Sequence, residues 1–332
     1  MAQKNNNNNK IALVLPPGLW ATNRFPLGLM SISSYLTQHG YANDIVDSAF
    51  LAEHGLDKRI NLPETVENLL VDYLKNYPIV GITCMIMNQD SVIRMTKEIK
   101  KVSPDTVVIL GGAQPTLFPD IFLENKADFV VRGEGEQTLL ELTRTIFNKE
   151  NHFGQLKGIS FKKNRRIKHN AAREFLKPEE IPSPDFKKVN MPHYLMLSES
   201  IIRGVPLKAA MVMASRGCPY ACVYCANERL TGRRVRYRNK ESIFREIKLL
   251  KEKYGAEGIW LADDTLTVNK KHVANICSIM KELNMVWGGQ ARVDAISEQM
   301  VKQMKESGCV QLDFGVESGT DRILEMINKG TT

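Results

Sequence analysis

Short β-rich runs alternate with helical patterns twice along this chain, from residue 10 to about 148 and again from about 208 onward. That alternation leaves few folds open. Strands separated by helices are parallel strands joined by right-handed crossovers, so each stretch predicts a parallel sheet flanked by helices. In the first stretch Ile11–Leu15, Asp44–Asp47, Ile79–Cys84, Val107–Leu110 and Phe129–Val131 read as strands. Helices are expected at about 27–39, 63–75, 90–101 and 135–148, with a short one near 116–124. Between Pro63 and Lys75, the residues Val66, Leu69, Leu70, Tyr73 and Leu74 fall at i, i+3, i+4, i+7 and i+8, one face of a helix. A doubly wound sheet binds ligands beyond the carboxyl ends of its strands, where the strand order switches. The glycines and prolines collect there, as Pro16-Pro17-Gly18, Gly111-Gly112 and Gly133-Glu134-Gly135-Glu136.

The alternation breaks between about 150 and 207. Gly158-Ile159-Ser160-Phe161, a polar Lys163-Asn164-Arg165-Arg166 and then Ile167 predict a hairpin. Ile181-Pro182-Ser183-Pro184-Asp185 cannot be helical and reads as an extended connector. The expected division is therefore a tail over 1–9, a first domain over 10–150, a hairpin and linker over 151–207, and a second domain over 208–332. In the second domain strands are expected at Ala209–Ala214, Gly258–Ala262, Val286–Arg292 and Val310–Val316. Helices follow at 240–253, 270–283, 298–306 and 321–328, and Asn239, Asn269, Ser297 and Thr320 stand where their N-caps belong. Four strand–helix units are too few to close an eight-fold barrel, so an open or truncated barrel is predicted.

Charge and hydropathy narrow the setting. The apolar fraction is 43% and the charged fraction 25%, ordinary for globular protein. No apolar run reaches the roughly 18 residues of a membrane span, and the asparagine-rich start, Met1 to Lys10, reads as a disordered tail and lacks the parts of a secretory signal. A cytoplasmic protein with reduced cysteines is expected. The net charge of +8 permits anionic partners without demanding them. The basic runs Lys162–Lys168 and Gly232–Arg238 lack an interleaved aromatic platform and read as solvated surface.

Of the six cysteines, Cys84, Cys277 and Cys309 are scattered, whereas Cys218, Cys222 and Cys225 form C-x3-C-x2-C directly after a predicted strand. That distribution belongs to a metal site and not to a disulfide framework. Zinc would want a fourth Cys or His close by, and none adjoins the trio. A four-iron cluster normally takes four cysteines, so three leave one iron open to the amino and carboxylate groups of a ligand. Zinc and redox thiols are the alternatives. Cys277 shares a helix face with Val273, Ile276 and Met280 and is expected in the core.

Cys218, Cys222 and Cys225, with Tyr224 just ahead of the third, resemble the signature of the radical S-adenosylmethionine (SAM) superfamily. Ser215-Arg216-Gly217 resembles the turn that leads into its cysteines. The SAM contacts that the resemblance implies are Tyr224 within the cysteine motif and, at strand ends, Asp263 and Asp264 after the second strand, Arg292 after the third, and Glu317 and Ser318 after the fourth. Pro26-Leu27-Gly28-Leu29, Gly81-Ile82-Thr83-Cys84, Leu110-Gly111-Gly112 and Val131-Arg132-Gly133-Glu134 resemble, in order, the cobalamin-binding domain fused to one large radical SAM subfamily. The cobalamin contacts so implied are Pro17, Gly28, Thr83, Gly111, Gly112, Gly133 and Glu134. Many cobalamin proteins supply an axial histidine from D-x-H-x-x-G, but Pro16 to Ala21 carries none here and His39 reads as a helix end. A cobalt without protein imidazole is therefore expected.

The resemblance implies three cofactors: a [4Fe-4S] cluster, SAM and cobalamin. It also implies reductive cleavage of SAM to a 5′-deoxyadenosyl radical, hydrogen abstraction from an unactivated carbon, and methyl delivery from methylcobalamin. The implied partners are a small-molecule substrate and a low-potential electron donor such as flavodoxin or ferredoxin, with neither membrane nor nucleic acid. No catalytic side chain is singled out. Ring formation is the alternative outcome. An RNA-modifying enzyme, suggested by Arg233, Arg234, Arg236 and Arg238, is a second reading, and a non-catalytic cobalamin carrier a third. Because the superfamily's open barrel generally has about six strands, the chain is expected to stop before its barrel is complete. The fourth strand would then leave Val310, Leu312, Phe314 and Val316 along an unpaired, aggregation-prone edge.

Overall fold

The computed structural model describes residues 10–17, 25–47 and 63–332, which fall into two compact units. The proposed tail over 1–9 and the segment from Gly18 to Ala21 lie outside the described residues.

In the first unit seven strands form one sheet in the order β2-β1-β3-β4-β5-β6-β7. They are β1 (Ile11–Val14), β2 (Asn43–Val46), β3 (Ile79–Thr83), β4 (Val107–Gly111), β5 (Phe129–Val131), β6 (Ile159–Lys163) and β7 (Arg166–His169). β1 to β5 are parallel. The first crossover runs outward to β2 and the next returns across β1 to β3, which creates the switch point between β1 and β3. Helices Leu27–Gln38, Pro63–Leu74, Gln89–Val102 and Glu136–Phe147 make connections near the expected places. The expected short helix is split into Ala113–Leu117 and Pro119–Glu124, because Pro119 cannot donate the hydrogen bond that would continue the first and instead opens the second. Val66, Leu70 and Leu74 are buried against Val80, Ile82 and Val108 in one apolar cluster. Each such side chain contributes about 1.5–3 kcal/mol on leaving water, which selects this helix face and fixes its register on the sheet.

The hairpin expected between the domains is seated in the first one. β6 pairs antiparallel with β5, and β7 with β6, so the sheet ends in two reversed strands. Sequence periodicity marks a hairpin but says nothing about which sheet edge it completes. Here Phe161 lies opposite Phe129, their ring centroids 6.0 Å apart, and Phe153 packs on both.

The second unit holds a four-stranded parallel sheet in the order β13-β12-β11-β8. The strands are β8 (Ala209–Val212), β11 (Gly258–Leu261), β12 (Val286–Ala291) and β13 (Cys309–Phe314), and two short antiparallel strands, β9 (Ser215–Arg216) and β10 (Arg236–Tyr237), flank the cysteine loop. Helices Lys240–Tyr254, Lys270–Glu282, Glu298–Glu306 and Asp321–Met326 follow in turn. Asn239, Asn269 and Ser297 cap the first three by accepting hydrogen bonds from the backbone N–H of Ser242, His272 and Met300. Thr320 makes no side-chain cap, and its backbone N–H instead donates to the Ser318 hydroxyl. Cys277 is buried as expected. Val310 and Phe314 are exposed on β13 and Val316 just beyond its end, and the one sheet partner of β13 among the described residues is β12. No described helix is long and apolar enough to cross a membrane.

The basic run Gly232–Arg238 is only in part a solvated face, since Arg233 and Arg234 are exposed but its last two arginines are not. Arg236 and Arg238 are buried, and Arg238 sits 2.6 Å from Glu246 with both side chains almost wholly out of water. The reason is tertiary. Arg236 on β10 and Arg238 just after it turn inward, where the Met213 carbonyl and Ser242 also bind Arg238.

Candidate functional site

In the second unit the chemistry-bearing residues gather where the strands end. Gly217 carries the chain from β9 into the cysteine loop with φ near +99°, a conformation that favours glycine. A Cβ there would lie 2.5 Å from the Arg234 carbonyl oxygen, which is fixed backbone. Gly217→Ala is therefore expected to destabilise this unit by at least about 1–3 kcal/mol, and to impair iron uptake, because the loop cannot close. Unchanged denaturation and iron content would show that the close approach is dispensable.

Asp264 accepts hydrogen bonds from the Gly217 N–H at 3.0 Å and the Thr231 hydroxyl at 2.9 Å, tying together the two ends of the loop. Asp263 is fully buried, and both its oxygens are engaged: Oδ1 by the Ala214 N–H, Oδ2 by the Ser215 hydroxyl and by His272 Nε2 at 3.3 Å. The sequence pointed to these aspartates as SAM contacts. In the structure the Asp263 oxygens hold the strand ends, and Asp264 braces the loop. A buried carboxylate takes every nearby donor, which a pattern of paired aspartates at a strand end does not disclose.

Cys218 and Cys222 are partly exposed and Cys225 is exposed, all three as free thiols. Burial pushes the Cys218 thiol up, and the charges of Asp264, Cys225 and Cys222 add to the rise. Among the described residues no three His, Cys, Asp or Glu side chains are arranged to hold a metal ion. A four-iron cluster fits this donor set nonetheless. Cys218, Cys222 and Cys225 would hold such a cluster as separate ligands, so their sulfurs need not converge on one atom, and its positive charge would relieve the repulsion among three thiolates on one loop.

Two further groups of residues face this loop. Arg292, only 6% exposed, follows β12 and is held by both oxygens of Asp294 at 2.9 Å. Its Nη2 also donates to the Lys329 carbonyl at 2.5 Å, its guanidinium lies 3.5 Å from the Tyr220 ring centroid, and its Nη1 points to Cys222 Sγ at 3.8 Å. Burial pulls the Arg292 pKa down, but the hydrogen bond and charge of Asp294 more than reverse it, and Arg292 in turn holds the Asp294 carboxyl low. The second group is Lys329, Glu317 and Tyr224. Lys329 Nζ lies 3.0 Å from Glu317 Oε1 and 3.3 Å from the Tyr224 hydroxyl. Hydrogen bonds from Lys329 and Tyr224 lower the Glu317 carboxyl, whereas partial burial, Glu317 and Cys222 raise the Tyr224 phenol. Arg292, Glu317 and Tyr224 thus lie together at the loop. Ser318 is committed to the turn that opens the last helix.

Residues 327–329 escaped sequence reading. The Val223 N–H donates to the Ile327 carbonyl, Asn328 Nδ2 donates to the Ala221 carbonyl, and Lys329 is buried between Glu317 and Tyr224. No local pattern marks them. They lie about a hundred residues from the loop that they clasp.

In the first unit Thr83, Gly111 and Gly112 meet at the carboxyl edge of β3 and β4. Gly112 has φ near +93°, and a Cβ would lie 2.8 Å from Thr83 Oγ1 and 3.0 Å from the Cys84 carbonyl. Glycine is therefore required for the two strand ends to approach. Pro17 follows β1, and Gly133, whose N–H donates to Thr116 Oγ1, follows β5 at the same edge. Gly28 lies exposed in the first helical turn with open space at its Cβ position. Glu134 accepts from the Leu176 N–H, so it is turned toward that segment. The end of this motif serves packing: a Cβ on Gly135 would lie 2.7 Å from Ile32, and buried Glu136 accepts a hydrogen bond from Ser31. Within the described residues no histidine stands on the segments that follow β1, β3, β4 or β5, and His39 sits at a helix end bonded to the Tyr35 carbonyl.

A sheet with its switch point between β1 and β3, followed by a parallel sheet with three thiols beyond its first strand, defines a two-domain protein of nucleotide-derived cofactors and iron–sulfur chemistry. Comparison with known proteins agrees. Residues 212–332 match the radical SAM superfamily and residues 22–143 match the B12 binding domain. An uncharacterized methyltransferase of Pyrococcus horikoshii is 32% identical over 97% of this chain and 68% of its own length. This chain belongs to the radical SAM superfamily and carries a B12-binding domain ahead of its radical SAM domain. Cytidylyl-2-hydroxyethylphosphonate methyltransferase of Streptomyces wedmorensis is 28% identical over 92% of the chain and 64% of its own length. An anaerobic magnesium-protoporphyrin IX monomethyl ester cyclase of Synechocystis is 26% identical, with 59% of its length spanned. The chain thus spans about two thirds or less of the relatives that it matches. Among solved structures, the radical SAM methyltransferase TsrM from Kitasatospora setae, with cobalamin and a [4Fe-4S] cluster bound, superposes with a TM-score of 0.77 over 98% of this chain and 64% of its own. Its identity is 16%, so the likeness is one of fold.

Proposed function

We propose that this chain binds cobalamin and SAM and belongs to methyltransferase chemistry on an unactivated carbon of a small molecule. The observation that carries the reading is the cysteine loop: three thiols, no fourth cysteine or histidine beside them among the described residues, and charged groups from three strand ends fixed around them. Cys218, Cys222 and Cys225 would hold a [4Fe-4S] cluster whose open iron binds SAM. Once bound, the cluster would supply an electron to SAM, and cobalamin would carry the methyl group. The protein's own residues bind, orient and shield these groups. Tyr224 and Glu317 would lie near bound SAM, with Lys329 and the clamped Arg292 completing the charge pattern. Asp263 and Asp264 support the loop from behind. In the first unit Pro17, Gly28, Thr83, Gly111, Gly112 and Gly133 would floor the corrin, with Glu134 at its border. A low-potential flavodoxin or ferredoxin is the expected electron donor.

The relatives named as methyltransferases support methyl transfer, and the cyclase relative keeps ring formation as the second outcome. The burial of Arg236 and Arg238 removes half of the arginine run that suggested RNA.

The full chain, reconstituted anaerobically with iron and sulfide, is expected to bind hydroxocobalamin with its dimethylbenzimidazole displaced from cobalt. Paramagnetic resonance of the cob(II)alamin form should then show no nitrogen hyperfine coupling from a lower ligand. Adding SAM should change the signal of the reduced cluster. A histidine-type coupling would overturn the cobalt environment proposed here, and a cluster signal indifferent to SAM would overturn the SAM site.

A further inference from the structure

Arg292 is an unusual cation. It is 6% exposed, it lies on the strand end opposite the cysteine loop, and nearly every direction in which it can donate is occupied. Asp294 takes Nε and Nη2 in a two-point grip at 2.9 Å each, the Lys329 carbonyl takes Nη2 again at 2.5 Å, and the Tyr220 ring lies under the guanidinium plane at 3.5 Å. A guanidinium so clamped is not poised to reach for a ligand's carboxylate. What remains is Nη1, aimed at Cys222 Sγ at 3.8 Å, within hydrogen-bonding range for sulfur. The planar fork is what allows the grip on one side and the thiol contact on the other, and lysine's single ammonium cannot reproduce both.

We infer that Arg292 is a positioning residue for the cluster, whose fixed hydrogen bond and positive charge at the Cys222 sulfur stabilise the reduced state. The inference rests on the proposed cluster at Cys218, Cys222 and Cys225, and it replaces direct SAM contact as the main role of Arg292. Hydrogen bonds to ligand sulfurs and nearby charge are established determinants of iron–sulfur potentials. Reduction adds negative charge to the cluster. A cation a few ångströms from one sulfur therefore favours the reduced form, and the low exposure of Arg292 keeps solvent from screening it. Asp294 offsets part of that charge but lies on the far side of the guanidinium, where it sets direction more than it cancels the field. Lys329 contributes a second way, since its carbonyl fixes Arg292 while its ammonium reaches Tyr224 and Glu317.

The test uses the whole 332-residue chain reconstituted anaerobically, with Arg292→Lys and Arg292→Gln compared with the parent chain. Iron and sulfide content is measured first, then the midpoint potential by redox titration followed by paramagnetic resonance. Both variants are expected to keep their iron. The midpoint should fall in Arg292→Gln and fall less in Arg292→Lys, and the reduced signal should change shape because the bond to the Cys222 sulfur is gone. Asp294→Asn, which loosens the grip but keeps the cation, should broaden the signal and move the potential less than Arg292→Gln. A potential unchanged in Arg292→Gln with the cluster intact would overturn the inference. Loss of iron in both variants would also overturn it, by making Arg292 a requirement of assembly and not of potential. Failure of the parent chain itself to take up iron would instead sink the proposed cluster, so the two failures are distinct.

Discussion

Cys222→Ala is expected to lose most of the iron that the parent chain takes up, which should approach about four irons and four sulfides per chain on anaerobic reconstitution. Cys222 is the middle thiol of the trio and carries two of the loop's contacts. Arg292 reaches its sulfur, and the Cys225 N–H donates to its carbonyl at 3.1 Å. Alanine keeps the backbone bond and removes the sulfur, so the effect isolates ligation from folding. Iron and sulfide analysis with the visible charge-transfer absorption reads it directly. Stoichiometric zinc with no iron uptake in the parent chain would overturn the iron–sulfur assignment, and undiminished iron in the variant would place the cluster elsewhere.

Glu246→Ala should be the most destabilising of the substitutions away from the loop. Glu246 lies on helix Lys240–Tyr254, 2.6 Å from Arg238, with the two side chains 1% and 4% exposed. Removing one partner of such a pair leaves a buried, uncompensated charge and typically costs about 3–5 kcal/mol. Arg238 would keep the Met213 carbonyl and Ser242 as neutral partners, which cannot balance a cation. Glu246→Gln should lose less, because it still accepts a hydrogen bond. Denaturant unfolding of the whole chain, followed by a signal from Trp260 or Trp287 in the second unit, measures the difference. A change within about 0.5 kcal/mol, the range of ordinary surface substitutions, would mean that the pair is hydrated in solution.

Pairs like this one show where a linear reading reaches its limit. Arg233, Arg234, Arg236 and Arg238 form one basic run in sequence, yet Arg233 pairs with exposed Glu228 while Arg236 and Arg238 are interior. Charge density along a chain carries no information about which side of a strand faces inward when the strand is two residues long. The same holds for the aspartates at the end of β11. As letters they suggest ligand contacts. In three dimensions Asp263 is saturated by Ala214, Ser215 and His272, and Asp264 closes the loop.

The sequence by itself determined the parallel sheets, the helix starts at Asn239, Asn269 and Ser297, and the three thiols with no fourth beside them. Each of these is a property of neighbouring residues: alternating apolar side chains, a side-chain oxygen two or three residues ahead of an unpaired N–H, cysteines within one loop. Only the tertiary structure decided that the hairpin at 159–169 completes the first sheet, that Gly217 and Gly112 are needed because backbone from elsewhere passes within 3 Å of where a Cβ would stand, and that Arg292 and Lys329 serve the cysteine loop. Those contacts join residues roughly thirty to a hundred positions apart, for the most part. Their energies depend on what folding brings into reach, and a buried donor or charge takes whatever partner it then finds.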